Sequence, residues 1–213
     1  MNESLPKEEI YTSIFEIETG YESYIPEDFR ENPLTYFETH GKNIKQGEIE
    51  YHTDGTVSED PTAVKDFPVW ENGNGDRLFT VGKRVNLDKG MINKTKDPFY
   101  EYMIMKIVQQ KNLPGAKPIV KISQGNSHLI IMERIPGLRW SYRHELLKKG
   151  FTNEDVDRLH KKAEAMMSEL QKRFEREGIM RDWKLSDMVF DIDIENKDLR
   201  SLTPVDWERT KIL

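Results

Sequence analysis

The sequence predicts an α+β fold of two lobes, and three observations predict it. The first half of the 213-residue chain reads mostly as short strands around a single helix. A proline–glycine linker follows at Ile135-Pro136-Gly137. The second half reads as a long amphipathic helix, a polar loop and a closing hairpin. The expected limits are an N-terminal extension over 1–45, a strand-rich lobe over 46–134, a hinge over 135–141 and a reduced helical lobe over 142–213. The cleft between lobes is expected at the hinge.

Residues 1–45 are rich in Glu, Tyr, Pro and Asn and show no sustained period, which predicts an irregular or partly helical segment. Its aromatic residues Tyr21, Tyr24, Phe29, Tyr36 and Phe37 are expected to pack onto the main body. Asp54-Gly55 and Asp60-Pro61 punctuate the chain as turns. Residues 67–70, the turn Asn72-Gly73-Asn74-Gly75-Asp76 and residues 77–85 then read as strand, hairpin turn and strand. The alternation of Leu78, Thr80 and Gly82 against Phe79, Val81 and Lys83 is imperfect, so it leaves open which face Lys83 takes.

Asp97-Pro98 predicts a helix start, because an acceptor side chain can cap the first free amides and proline suits the first turn. Met103, Ile104, Ile107 and Val108 are expected on its buried face, and Leu113-Pro114-Gly115 stops it. Strands are predicted over 118–122 and 128–132, joined by Gln124-Gly125-Asn126-Ser127. A long helix is predicted over 153–177, where Val156, Leu159, Ala163, Met166, Met167, Leu170 and Phe174 recur at helical spacing. Gly178 ends it, since glycine accepts the left-handed conformation that closes a helix. Runs 189–192 and 202–205 form a last predicted hairpin that returns Asp206 near Asp182.

Composition removes whole classes of function. One third of the chain is charged and the net charge is −6, which argues against general nucleic-acid binding. No apolar run approaches the ~20 residues that a membrane-spanning helix needs. The first residues lack the apolar core of a cleaved secretory signal. With no cysteine, disulfides, thiolate catalysis and cysteine-ligated zinc are excluded. The five histidines, His40, His52, His128, His144 and His160, are scattered and do not suggest a metal site. Asp191 and Asp193 lack the glycine and terminal glutamate of a calcium loop and read as a solvated turn.

The chemistry is concentrated in Met180-Arg181-Asp182-Trp183-Lys184-Leu185-Ser186-Asp187 and in Asp206-Trp207-Glu208. With Val81-Gly82-Lys83-Arg84-Val85, Glu101 in the predicted helix, and Met132-Glu133-Arg134-Ile135-Pro136-Gly137, these motifs resemble the protein-kinase-like superfamily in order and near spacing. The resemblance implies a two-lobed protein-kinase-like fold with a reduced C-terminal lobe. It also implies roles. Asp182 would orient the attacking hydroxyl and take its proton, while Lys184 would neutralise charge on the transferred phosphoryl. Asp187, where the family keeps asparagine, and Asp206 would hold Mg2+, with Mn2+ as a substitute. Lys83 would meet the α- and β-phosphates of ATP and pair with Glu101. The hinge backbone of Glu133, Arg134 and Ile135 would hold the adenine edge. Met180 replaces the family's histidine, the glycine of the second metal motif is missing, and Asp54-Gly55-Thr56-Val57-Ser58 stands where a glycine-rich loop should cover the phosphates. Gly55 is the residue expected to contact them.

The sequence ends at Leu213, soon after the second metal motif. In this it resembles the minimal kinases that bacterial pathogens deliver into host cells, which lack an activation loop. The resemblance implies a serine/threonine protein kinase with a protein substrate, an effector or virulence role and a host-protein partner. The expected location is cytoplasmic, or a host or target cell reached by a specialised route other than the general secretory one. The alternatives are a pseudokinase binding module, an aminoglycoside-type small-molecule phosphotransferase, suggested by the Met-Glu-x-x-Pro-Gly hinge, and transfer of AMP in place of phosphate.

Overall fold

The computed structural model describes residues 13–43, 64–86, 97–125, 127–139, 143–207 and 210–213. Among them the fold is mixed α/β, with five α-helices and strands that pair only antiparallel. The largest sheet has six strands, in the order β1 (Ile14–Ile17), β7 (Pro118–Gln124), β8 (Ser127–Glu133), β6 (Thr80–Asn86), β3 (Val64–Asp66) and β2 (Lys42–Asn43).

Side-chain alternation gives this sheet two different faces. On β8, Leu129 and Ile131 join an aromatic layer, while Ile130 lies in a second core with helix α3 (Tyr100–Gln110). The aromatic layer is Phe29, Tyr36 and Phe37 from the short helices α1 (Glu27–Glu31) and α2 (Pro33–His40), packed on Phe67 and Trp70. The described residues 13–43 thus hold β1, the two short helices and β2. Asn32 caps α2 by accepting the Thr35 amide, and Pro33 occupies its first turn.

Register on β6 decides which way Lys83 points. Gly82 stands opposite Ile131 and faces the aromatic layer, whereas Lys83 stands opposite Ile130 and faces α3. A Cβ on Gly82 would lie 2.8 Å from the Phe67 ring, so glycine is the residue that lets this ring reach the sheet. The predicted strand over 67–70 does not form as one piece. Pro68 has no amide to give to a ladder, and only β4 (Trp70–Glu71) and β5 (Arg77–Leu78) pair across the turn. The turn itself forms as expected, with the Asn72 side chain accepting the Asn74 and Asp76 amides.

Helix α3 begins at Tyr100, two residues beyond Pro98. Asp97 instead closes a turn, accepting the Phe99 amide on its side chain and the Tyr100 amide on its carbonyl. Its buried face is Tyr102, Ile104, Met105 and Val108, and Met103, expected inside, is exposed. The buried Glu101 and Tyr102 rotate the helix by about one residue step, 100°, relative to the predicted stripe.

In the second half, α4 (Arg143–Lys148) and α5 (Asn153–Arg176) cover a three-stranded sheet of β12 (Asp198–Pro204), β11 (Met188–Asp193) and β9 (Leu138–Arg139). Thr152 and Asp155 form a reciprocal capping box at the start of α5. Gly178, at φ 75°, ends it. Gly137 is required at the start of β9, because a Cβ there would lie 2.5 Å from the Phe190 carbonyl oxygen. A final pair, β10 (Ile179–Arg181) with β13 (Thr210–Ile212), brings the last residues back beside the end of α5. Phe174, Ile179 and Trp207 share one core with Tyr102, Met105 and Val108 of α3. Burial of each large side chain contributes about 1.5–3 kcal/mol, so this shared core fastens α3 to the segment that carries Asp206.

Candidate active site

Three chain segments meet at one ion pair. The Lys83 ammonium on β6 lies 2.7 Å from Glu101 Oε2 on α3, and both side chains are 8% exposed. The other oxygen, Glu101 Oε1, accepts the Trp207 backbone amide at 3.2 Å. Asp206 Oδ1 stands 3.9 Å from the same ammonium, with its side chain nearly half exposed. One glutamate therefore links a strand lysine to the backbone of the Asp206 segment. Asp206 has φ 67°, a left-handed conformation that aspartate tolerates better than most residues. That turn lets the Trp207 amide face inward while the Asp206 carboxylate stays open to solvent.

The loop after β10 carries the other candidates. Lys184 Nζ lies 2.7 Å from Asp182 Oδ2, with both side chains about half exposed. In the 3-10 turn Leu185–Asp187, the Asp187 carbonyl accepts the Val205 amide at 2.9 Å, and Ser186 Oγ donates to Asp187 Oδ1 at 3.0 Å. Asp187 and Asp206 therefore sit at the same end of the β11–β12 hairpin.

Arg181 was part of the motif but carried no expected role, and the structure makes it central. Its side chain is 2% exposed, and its guanidinium carbon lies over the rings of Trp183 and Trp207, at 5.1 and 4.9 Å from their centroids. Its Nη2 donates to the Val205 carbonyl at 3.3 Å and is 3.8 Å from Asp187 Oδ2. Burial pushes its pKa down, while Asp187, Asp206, Glu101 and Asp182 act in the opposite sense. A guanidinium stays charged under such conditions, so Arg181 is a buried cation that offsets the acidic cluster. The Arg-Asp order in the motif was the available signal. Its contacts with the two tryptophan rings were not legible without the fold.

The hinge backbone is partly occupied. The Glu133 amide donates to the Lys117 carbonyl at 2.8 Å, and the Arg134 amide donates to the Phe79 carbonyl at 2.9 Å. Of the three hinge amides, that of Ile135 is the one facing no backbone acceptor among the described residues. Gly55 and its turn lie outside the described residues. Among the described residues, no group of three or more His, Cys, Asp or Glu side chains is placed to hold a metal ion. Asp187 and Asp206 supply only two carboxylates at this hairpin end, so a magnesium ion held there would take its remaining ligands from phosphate and water. Nor is any helix among the described residues long and apolar enough to cross a membrane.

No family model matches the sequence, and no curated protein sequence matches it either. Among solved structures, the chain is similar to the bifunctional kinase-methyltransferase WbdD at 15% identity and TM-score 0.39, over 64% of this chain and 30% of that one. It is similar also to WbdD in complex with the kinase inhibitor LY294002, at 16% identity and TM-score 0.40, over 64% and 31% of the two chains. The chain thus spans about a third of the length of those proteins.

Proposed function

We propose that the protein is an ATP-dependent phosphotransferase of the protein-kinase-like type, moving the γ-phosphoryl group to a serine or threonine hydroxyl of a protein. The observation that carries this reading is the convergence of Lys83, Glu101 and Asp206, three residues far apart in sequence, on one buried ion pair at an open carboxylate. A lysine held by a glutamate, with an aspartate beside it, is the arrangement that clamps a polyphosphate.

In this reading Glu101 holds the Lys83 ammonium where the α- and β-phosphates of ATP would lie. Asp187 and Asp206 would hold magnesium, which supplies charge neutralisation on the phosphate oxygens when bound. Asp182 orients the acceptor hydroxyl and takes its proton. The bond from the γ-phosphorus to the β,γ-bridging oxygen breaks, a bond from phosphorus to the hydroxyl oxygen forms, and ADP leaves with the electron pair. Lys184, beside Asp182, adds positive charge near the acceptor. Catalysis of this kind is mostly positioning and electrostatics, so loss of any one charged group lowers the rate by orders of magnitude.

The test is incubation of the full chain with ATP and magnesium, followed by intact-mass measurement and transfer of labelled phosphate to a generic protein acceptor. A gain of about 80 Da is expected for phosphoryl transfer, against about 329 Da for AMP. Asp182→Asn and Asp206→Asn should each lower transfer at least about 100-fold. A protein that neither transfers phosphate nor gains thermal stability from ATP and magnesium would overturn the reading and leave a binding module.

A further inference from the structure

The N-terminal strand presents two chemically different sides. Phe15 and Ile17 of β1 pack against the aromatic layer, while Glu16 and the following Glu18 point the other way, toward α3. Glu18 Oε1 accepts the Tyr102 hydroxyl at 2.6 Å and lies 2.8 Å from the Lys106 ammonium. Residues 102 and 106 are one helical turn apart and share a face, so a single carboxylate grips α3 at two points. Glu16 pairs with Lys121 at 2.9 Å, and the Lys121 ammonium lies 5.6 and 5.8 Å from the Phe99 and Tyr102 ring centroids. Burial raises the Glu18 pKa, but the hydrogen bonds from Lys106 and Tyr102 outweigh it and keep the carboxyl below its usual range.

The chain then reverses at Gly20, where φ is 95° and the Tyr21 amide donates to the Glu18 carbonyl. This reversal brings the Tyr21 hydroxyl to 2.6 Å from Glu133 Oε1, while Lys117 lies 3.5 Å from the other oxygen of that carboxylate. Within four residues the N-terminal segment therefore touches both elements of the candidate site that lie on the sheet side. One is the helix that carries Glu101, and the other is the hinge.

We infer that residues 14–21 are a positioning brace for the phosphotransfer site, an inference that rests on the proposed function. Glu18 sets the rotation and depth of α3 through Tyr102 and Lys106, and Tyr21 fixes the hinge at Glu133. Rotation of α3 by a fraction of a turn would carry Glu101 away from Lys83, so the brace holds the ion pair closed from within the chain. Residues 18 and 21 touch no reacting atom. They act through Glu101 and Glu133.

The experiment uses the full chain and the variants Glu18→Ala, Tyr102→Phe and Tyr21→Phe. Three readouts are taken well below the melting temperature of each variant. These are amide hydrogen exchange over residues 100–106, the rate at which an amine-reactive reagent labels Lys83 relative to the exposed Lys172, and kcat and KM for ATP. Glu18→Ala and Tyr102→Phe should raise exchange in the first turns of α3 roughly tenfold, the scale expected when one charge-assisted hydrogen bond is lost. Lys83 labelling should rise with it, and kcat/KM should fall. Tyr21→Phe should raise the KM for ATP with kcat nearly unchanged. Faster Lys83 labelling in a protein that transfers no phosphate would support the brace and refute the proposed function. Unchanged exchange and Lys83 labelling in both Glu18→Ala and Tyr102→Phe, whatever their melting temperatures, would overturn the brace and leave the proposed function standing.

Discussion

The guanidinium carbon of Arg181 lies 4.9 Å from the ring centroid of Trp207. With Trp183 also in contact at 5.1 Å and its Nη2 on the Val205 carbonyl, this one side chain ties the strand before Asp182 to the segment around Asp206. A cation stacked on aromatic faces away from water contributes about 2 kcal/mol or more. Lysine carries the charge but neither the plane nor the fork of donors. Arg181→Lys should therefore lower stability by about 2 kcal/mol in urea unfolding. Unchanged urea midpoints would count against the role of these cation–ring contacts.

The Lys83–Glu101 pair should behave as a buried pair and not as a surface one. Removing one partner leaves a desolvated charge, which costs about 3–5 kcal/mol, whereas replacing both with apolar groups is often nearly neutral. Lys83→Met should thus be strongly destabilised, and Lys83→Met/Glu101→Gln, which removes the stranded charge and keeps an acceptor for the Trp207 amide, should regain most of the loss. Loss of activity in Lys83→Met alone is then ambiguous between chemistry and unfolding. The double variant, folded and inactive, separates the two, and urea denaturation of all three proteins supplies the comparison.

Gly82→Ala should cost about 1–3 kcal/mol by overpacking. The new methyl would meet two Phe67 ring atoms at 2.8 and 2.9 Å and Ile131 Cδ1 at 3.1 Å. Phe67 is itself held by Phe29, Tyr36, Phe37 and Trp70, so the ring has little room to yield. Phe67→Leu in the same chain should recover part of the loss, a coupling that a double-mutant cycle measures.

Acid should weaken the fold through His128. Its ring is buried, neither nitrogen has a hydrogen-bond partner among the described residues, and it packs edge-to-face with Phe99 at 5.7 Å between centroids. Burial lowers its pKa, against a smaller opposing effect of the Asp97 charge. The unfolded chain then takes up a proton near pH 6.5, the ordinary histidine value, where the folded chain does not. Stability is therefore greatest above that pH and falls as pH drops toward the folded value. His128→Phe should flatten the fall in melting temperature between pH 7.5 and pH 5.5 (about one unit either side of the ordinary value). An equally steep fall in the variant would assign the acid sensitivity elsewhere.

The elements legible in the sequence were those with local causes. The long helix α5 announced itself by its apolar spacing and its terminal Gly178, and α3 by its period. The β11–β12 hairpin followed from two strand-like runs around a polar turn. The strand β1 was missed, although Phe15 and Ile17 alternate with Glu16 and Glu18, because four residues of period two are too few to stand out. The pair β10–β13 was missed for a different reason: each strand has three residues, and only the partner gives either one its ladder.

Local order determined which residues exist as candidates: Lys83 on a strand, Glu101 early in a helix, Asp182 and Asp187 after a long helix, Asp206 after a hairpin. Tertiary structure alone decided that Lys83 turns toward α3, because β6 pairs Gly82 with Ile131 and Lys83 with Ile130. It alone placed Arg181 against two tryptophans and Glu18 on Tyr102, contacts between residues set together by packing and register. Periods and caps act over a few residues and are written in the chain. Facing, register and charge pairing depend on which surfaces are buried against each other, and burial is a property of the folded whole.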